Sequence, residues 1–552
     1  MPKIQGVPSS GNNQTSVKAA VQEEHSSSVL QPPGNLAGAP KKLGEAQRPK
    51  ISFTSALPKR DESESQLIIA SNRLPLDGAQ GGLISAVAPV MHDHREGVWV
   101  GWNGKTDPAL DREGATRPVD VTPYGKSHLL SFPLGVEEHK GFYEQYSNGA
   151  LWPNFHGLME HADLKAGAMD VYQGVNDVFA EVISAAASAK DKVWVHDYQL
   201  AGVGKALKDI GRNLKVGWFN HIPFPGPGML KNLPEHQQLV HALCQYDVVG
   251  MQIKDDVDNF VKYLEEHGAE KLDEHHVQVS GKTVHAQEFP IGIDAQSFTT
   301  DVSSKNAAEL VKIVEGEAAH SRLQIVGAER LDYTKGLVLK MHAFDAFLEA
   351  HPEMHGKVTM VQIAAPSRGT IPAYKKERDD MVNAVKATNE KYGKDGWTPI
   401  ILIEKNVARE AMPWFLGKGR VNYVAPKKDG MNLVAKESVL YQDKDNPGVL
   451  VLSEGAGASK QLTGALVVNP HEPRQAGEGL HAALKMPQQE RLERHKINLK
   501  SVEEEDVTHW QNTYLNVLLS HDCPPVRGKV LGEVGDDDVL PDEPSKTPEH
   551  QG

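Results

Sequence analysis

Short, near-continuous apolar runs recur along the chain. They are LIIA at Leu67, VWV at Val193, VGWF at Val216, VVGM at Val248, LQIVGA at Leu323, VTMVQIA at Val358, IILI at Ile400, VNYV at Val421, VLVL at Val449 and ALVV at Ala465. Runs that stay apolar, instead of alternating with polar residues, predict strands of sheets covered on both faces. Between them the period changes. In 336–350, Leu337, Met341, Phe344 and Leu348 recur at helical spacing. No internal repeat of solenoid length interrupts this alternation of strand and helix. The pattern predicts an α/β protein with two doubly wound sheets, divided near 295–320, just after the PIGID segment at 290–294. Ligands of such folds sit at the carboxyl ends of the strands, so two facing sheets place the site in the cleft between them.

The two ends differ from this middle. Residues 1–60 are rich in Ser, Pro, Gly and Gln, have no aromatic residue before Phe53 and carry a small basic excess. That composition buries too little apolar surface to offset the entropy of ordering, so residues 1–62 are expected to be a disordered leader. The tail at 523–552, with Asp536-Asp537-Asp538, is expected to be its acidic, disordered counterpart. With 552 residues the chain has room for two domains with cores of their own. Its net charge of -14 argues against nucleic acid as the main partner. No apolar run is long enough to span a bilayer and none resembles a secretory h-region, which argues against a membrane partner. Cys244 and Cys523 make neither a disulfide framework nor a metal-ligand spacing, which suits a reducing cytosol.

The segment at 424–439, VAPKKDGMNLVAKESV, carries the densest chemistry. A β-branched strand runs into a charged turn, and Asp429-Gly430-Met431-Asn432-Leu433 opens a helix bearing Lys436 and Glu437. Unpaired N–H groups at a helix start suit a diphosphate or another anion, and Gly430 lets backbone approach a ligand. Asp429 is placed to hold sugar hydroxyls and Glu437 a ribose diol. Other segments converge on the same kind of ligand. Arg73 leaves the first of these strands in Ser71-Asn72-Arg73, ahead of a glycine loop at 78–83 that includes Gly82. The run at 141–157, read as a loop, concentrates Tyr143, Tyr146 and Trp152. His196-Asp197 ends one strand, and Asn220-His221 followed by rigid prolines ends another. Arg330 and Lys335 stand five residues apart at a strand-to-helix junction, where cations neutralise a diphosphate leaving group. Arg368 ends the next strand in Pro366-Ser367-Arg368-Gly369. The triplet His92-Asp93-His94 reads as solvated helix surface, not as a metal site.

Together the segments SNR, the GG loop, LWPNFH, HDYQL, HIPFP, ERLDYTKG, PSRG, DGMNLVAKE and NPGVLVLSEGAG resemble, in order and over residues 67–520, the trehalose-6-phosphate synthases. These are retaining glycosyltransferases of GT-B fold, with two Rossmann-like domains facing across a cleft. The resemblance implies an N-terminal acceptor domain at 63–298, a nucleotide-sugar domain at 299–500 and a C-terminal helix at 501–522 that packs back on the first domain. It implies UDP-glucose as donor and glucose 6-phosphate as acceptor. Arg73, Tyr143, Trp152 and Arg368 would hold the acceptor phosphate, while Trp102 and Asp197 would line its sugar. On the donor side Gly82 would belong to the closing loop, with Arg330 and Lys335 facing the diphosphate. Asp429 and the Gly430, Met431 and Asn432 amides, leading into Leu433, would hold the glucose, and Glu437 the ribose. His221 would stand near the reacting centre. Asp197, His221, Arg330 and Lys335 are thus the expected catalytic set, with no metal or cofactor and no covalent enzyme nucleophile.

Two departures from the family pattern are Gln199 in HDYQL, where His is usual, and Ala364-Ala365 before Pro366. No strand ending in a DxD phosphatase motif follows, so the product is expected to stay phosphorylated. The long leader resembles the secretion leaders of type III effectors of plant-pathogenic bacteria, which would place the protein in a host cytosol. Rival functions are a glucosylglycerol-phosphate synthase, a pseudo-glycosyltransferase joining cyclitols, and a non-catalytic sugar-phosphate sensor. The donor base and the oligomeric state, including a homo-oligomer, stay open.

Overall fold

The computed structural model describes residues 49–520, apart from 58–63, 77–81, 95–96, 297–299, 318–322, 370 and 395. Among the described residues the first sheet has eleven strands. They are β1 (Lys50–Phe53), β2 (Leu67–Arg73), β3 (Gly97–Thr106), β4 (Thr116–Tyr124), β5 (Ser127–Leu134), β6 (Lys192–His196), β7 (Lys215–Phe219), β8 (Val248–Met251), β9 (Glu270–Lys271), β10 (His276–Val279) and β11 (Lys282–Glu288). Their spatial order is β1-β4-β5-β3-β2-β6-β7-β8-β11-β10-β9. The central six, β5-β3-β2-β6-β7-β8, are parallel. The second sheet is parallel throughout and contains β12 (Leu323–Arg330), β13 (Val358–Ala365), β14 (Ile400–Ile403), β15 (Val421–Val424), β16 (Val449–Ser453) and β17 (Leu466–Val468), in the order β14-β13-β12-β15-β16-β17.

Both parallel sheets thus share the dinucleotide-fold order, in which the third, second and first strands precede the fourth, fifth and sixth. Each reverses direction at one point, between β2 and β6 in the first and between β12 and β15 in the second. A crevice opens there at the strand carboxyl ends, because the flanking connections leave toward opposite faces. This is the two-domain GT-B architecture.

The described residues correct three expectations. The leader was expected to run to residue 62, but Lys50–Phe53 pair in parallel with Thr116–Val119 and form the sheet edge. Ile51 and Phe53 pack on the core of the first domain, which a wholly disordered leader would not allow. Residues 1–48 and the tail at 523–552 lie outside the described residues. The aromatic run is not a loop: His139–Leu151 form wide π-type turns that continue into the helix Trp152–Phe155. Third, the helix of the donor segment spans Leu433–Leu440, and its cap is Asn432, whose side chain accepts from the Ala435 amide.

The last helix, Val507–Ser520, returns from the second domain and packs on the first sheet. Trp510, Tyr514 and Leu518 are buried there with Trp99, Trp194, Phe219 and Phe289. Tyr514 lies so close to the strands that a Cβ at Gly217 would stand 2.4 Å from its hydroxyl, and one at Gly250 2.6 Å from its ring. The same apolar cluster continues into Val424, Met431, Ala435 and Leu452 of the second domain, so the two domains share a core. Lys436, buried, donates to the Ile291 carbonyl of the interdomain segment at 2.8 Å. Among the described residues no helix is long and apolar enough to cross a membrane.

Candidate active site

The crevice of the first sheet is built from the ends of β2, β6 and β7. Asp197 follows β6 with φ +77° and ψ 166°, a region that non-glycine residues rarely enter. Three hydrogen bonds hold it there. Its amide donates to the Phe219 carbonyl at 2.7 Å, and its carbonyl accepts from the Trp218 indole at 2.9 Å and the Leu200 amide at 3.1 Å. Its carboxylate accepts the His221 amide at 3.2 Å. Burial pushes the Asp197 carboxyl up to about 6, against the amides of Tyr198 and His221 and the pull of Arg368 and Arg330.

The His221 ring lies 3.1 Å from the His196 ring, Nε2 to Nδ1. Burial drives His221 down to about 3 and holds His196 well below the ordinary value. Two neutral imidazoles therefore share one proton along this contact, and Trp510 of the returning helix backs both rings.

The crevice of the second sheet is built from the ends of β12, β13 and β15. Lys335 is paired with Asp429, and both side chains are nearly buried. Asn432, at φ +80°, donates from its side-chain amide to the same Asp429 carboxylate at 3.1 Å. Arg330 is half-exposed at the crevice mouth, 3.8 Å from the Asp332 carboxylate. Gly430 has no space for a side chain: a Cβ would lie 2.2 Å from the His221 carbonyl oxygen. The DGMN turn of one domain thus rests on the HIPFP turn of the other. Met431 is buried, and its carbonyl accepts the Ala458 amide at 2.8 Å, which fixes the turn from behind.

The residues expected around the acceptor fall into two adjoining groups. In one, Arg73 lies over Trp102 at 5.3 Å, Trp102 meets Tyr143 at 6.0 Å, and His139 stacks between them. In the other, Arg368 of the second domain lies over Trp152 of the first at 4.2 Å. Arg368 is held by the Tyr374 hydroxyl, by Tyr198 at 3.5 Å and by Asp332 at 3.7 Å. Asp332 is fully buried. Burial alone would raise its pKa, but Arg368, Arg330 and Lys335 outweigh that and keep it below the usual carboxylate value. A cavity of about 390 Å³ opens beside Arg368, lined also by Leu331, Ser367, Tyr374, Lys375 and Arg378. Tyr146, from the same aromatic run, is buried against Tyr172 and does not reach this surface.

Glu437 lies further into the second crevice. Burial raises it to about 7, opposed by Arg409. Arg409 also donates to Ser85 of the first domain at 3.0 Å. Gly82 starts the helix Gly82–Pro89 against the Leu433 side chain, whose Cδ1 would lie 2.8 Å from a Cβ there. The glycine loop before it, 77–81, lies outside the described residues.

Sequence reasoning missed several side chains of this cleft: Asp332, Tyr198, Tyr374, Arg409, Ser85 and His156. His156 is buried on Trp152 at 4.3 Å, with Nδ1 bonded to the Trp152 carbonyl at 2.7 Å, and burial drives it down to about 4. Asp332 carried a readable signal, since it stands between two cations of one short motif. The others answer to contacts between distant segments.

The chain matches the model of glycosyltransferase family 20 over residues 50–520. A trehalose-6-phosphate synthase of Enterobacter sp. (strain 638) is 35% identical over 460 residues, covering 82% of this chain and 95% of the relative. One of Cronobacter sakazakii (strain ATCC BAA-894) is 36% identical with the same coverage. Among solved structures, the E. coli enzyme bound with UDP-2-fluoro glucose superposes with a TM-score of 0.77 at 34% identity, covering 83% of this chain and 99% of its own. The synthase of Burkholderia xenovorans in complex with glucose-6-phosphate does so with a TM-score of 0.76 at 34% identity, covering 82% and 100%. By sequence, by fold and over nearly all of the described residues, the chain belongs to glycosyltransferase family 20, alongside the trehalose-6-phosphate synthases.

Proposed function

We propose that the chain transfers glucose from UDP-glucose to glucose 6-phosphate with retention, giving trehalose 6-phosphate and UDP. The observation that carries this reading is the meeting of two half-sites in one cleft. An aromatic and guanidinium set for a sugar phosphate faces a Lys-Asp-Asn turn for a nucleotide sugar, and the two domains touch at His221 and Gly430. The relatives with glucose-6-phosphate and with a UDP-glucose analogue support the same pair of substrates.

Arg368 and Arg73 take the acceptor phosphate, with Trp152 and Tyr143 as its walls and Trp102 and Asp197 along the sugar. Lys335 and Arg330 face the donor diphosphate, Asp429 and the Gly430–Asn432 amides the glucose, and Glu437 the ribose. As the bond from the anomeric carbon to the diphosphate oxygen breaks, its electron pair leaves with UDP. The acceptor hydroxyl adds on the same face, and its proton passes to the departing phosphate. The protein orients the two sugars and stabilises the charge on the leaving group. No metal or cofactor enters this scheme. His221 is too weak a base to take the proton and acts through position.

The test is UDP release from UDP-glucose with glucose 6-phosphate, with glycerol 3-phosphate, and with no acceptor. Release that depends on glucose 6-phosphate, with a phosphorylated disaccharide as product, supports the reading. Silence with every acceptor despite UDP-glucose binding overturns it in favour of a sensor. The cytosol is the place of action on this reading. Delivery of the protein through a type III apparatus rests on the composition of residues 1–60 alone. Fusing those residues to a translocation reporter tests it, and a reporter retained in the bacterium would refute it.

A further inference from the structure

The helix Leu337–Ala350 begins beside Lys335 in the cleft and carries its other end about 20 Å away at a rise of ~1.5 Å per residue. There it packs along the helix Pro473–Lys485. Gly477 lets the two backbones approach: a Cβ would stand 3.0 Å from the Ala343 carbonyl oxygen and 3.0 Å from the Phe347 nitrogen. Four residues further along each segment, His351 and His481 come face to face, with ring centroids 3.6 Å apart and planes 15° from parallel. Glu353, on the turn that follows His351, reaches both rings. Its Oε1 lies 3.5 Å from His351 Nδ1 and 3.6 Å from His481 Nε2.

The hydrogen bonds assign the tautomer of His351. Its Nε2 lies 3.1 Å from the Glu478 carboxylate, which only accepts, so Nε2 carries the proton and donates. A neutral His351 then turns the Nδ1 lone pair toward the Glu353 oxygen. His481 Nε2 is buried and has no hydrogen-bond partner. Burial, followed by the neighbouring His351, lowers the pKa of His481, which favours its neutral form. An anionic oxygen and one or two nitrogen lone pairs converge on one point with no donor between them. Acceptors left facing one another in this way call for a cation.

We propose that His351, Glu353 and His481 bind a divalent transition-metal ion of the zinc class. Two imidazoles and a carboxylate are the ligand types such ions take, with water completing the shell. Glu478 holds His351 from outside, as carboxylates do behind metal-bound histidines. The three ligand atoms lie within 4.8 Å of one another and close on an ion by side-chain rotation. A site so far from Lys335 takes no part in the transfer. It cross-links two helices of the nucleotide-sugar domain and adds stability in proportion to ion concentration. The other histidine cluster among the described residues does not offer this. His276 Nδ1 is bonded to Asp273 and His285 Nε2 to Gln287, so its ring nitrogens are engaged.

The experiment uses the full, untagged chain stripped with EDTA and titrated with Zn²⁺ by calorimetry. Co²⁺ absorption reports the coordination and thermal melting the linkage. One Zn²⁺ per chain and a rise in melting temperature are expected. His351→Ala and His481→Ala should each weaken binding at least tenfold, and Glu478→Gln should do so about tenfold. His276→Ala should leave the titration unchanged, and the rate of UDP release should not move with the ion. His481→Gln, which keeps much of the packing, serves if the alanine variants fold poorly. Absence of Zn²⁺ binding, or binding that survives in His351→Ala and His481→Ala, would overturn the proposal.

Discussion

Gly430→Ala isolates the contact on which the cleft depends. The residue does not need glycine for its backbone angles, since it is absent from the positive-φ positions. It needs glycine for proximity. The added Cβ would lie 2.2 Å from the His221 oxygen, 3.0 Å from its carbonyl carbon and 3.0 Å from Ile222 Cα, all backbone atoms that cannot rotate away. A carbon rests about 3.3 Å from a carbonyl oxygen, so the two turns must part by about 1 Å. A displacement of that size at reacting groups costs roughly 100-fold in rate, or about 2.7 kcal/mol. The loss should appear in kcat/KM for UDP release with both substrates. The melting temperature should fall little, because the turns can separate without opening either core. Gly174→Ala serves as control, for nothing lies within 4 Å of its Cβ position in the helix Ala168–Ala186. It should leave the rate unchanged and add about 0.4–1 kcal/mol of stability. A folded Gly430→Ala protein with kcat/KM within about threefold of the parent would refute the reasoning, for the closed contact would then be dispensable to turnover.

Three further outcomes are expected. Arg330→Ala and Lys335→Ala should each lower turnover by about 3 kcal/mol or more of transition-state stabilisation with the fold intact by circular dichroism, since each removes a cation facing the leaving group. Glu437, at 4.5 when unfolded and about 7 when folded, binds its proton more tightly in the native state. Its ionisation therefore weakens folding progressively as pH rises from about 4.5 to 7, by at most about 3 kcal/mol. Glu437→Gln should flatten that part of the stability-against-pH curve, measured by denaturant melts, and raise the KM for UDP-glucose. Trp510→Ala, in a fully buried site beneath His196 and His221, should cost about 3–5 kcal/mol in the same melts.

The strands legible in the sequence are those buried on both faces, from Leu67 through Val449, because continuous apolar runs have no other common explanation. β4 was not legible. Its sequence, TRPVDVTPY, alternates buried and exposed positions and contains two prolines, and it pairs antiparallel with β5 near the sheet edge. β1 is four residues long inside a Ser- and Pro-rich stretch, and only its pairing with β4 makes it a strand. The same division holds in the site. Arg330, Lys335 and Asp429 could be read because each stands where a strand delivers it to the crevice. That Lys335 is paired with Asp429, or that Arg368 lies on Trp152, could not be read, because those contacts join segments 94 and 216 residues apart and depend on how the domains dock. Tyr198 and Tyr374 were invisible for the same reason, since they matter only as the frame around Arg368.

Backbone strain gives an independent mark of where the fold is committed to a task. Four non-glycine residues have positive φ among the described residues: Asp197, Ser280, Arg368 and Asn432. Ser280 lies in the turn before Gly281, where such angles are ordinary. The other three all face the cleft, one from the first sheet and two from the second. Each such conformation costs on the order of 1–3 kcal/mol and persists only where its surroundings over-determine it. Those surroundings are visible. Asp197 is tied to Phe219, Trp218 and Leu200; Arg368 is clamped by Tyr374, Tyr198 and Asp332; Asn432 caps its helix and holds Asp429. Relaxing any of the three would turn away the side chain that reaches the acceptor sugar, its phosphate or the donor glucose. The strain is therefore concentrated where three ligand groups must be held in register before either substrate arrives, which is the condition for catalysis by orientation.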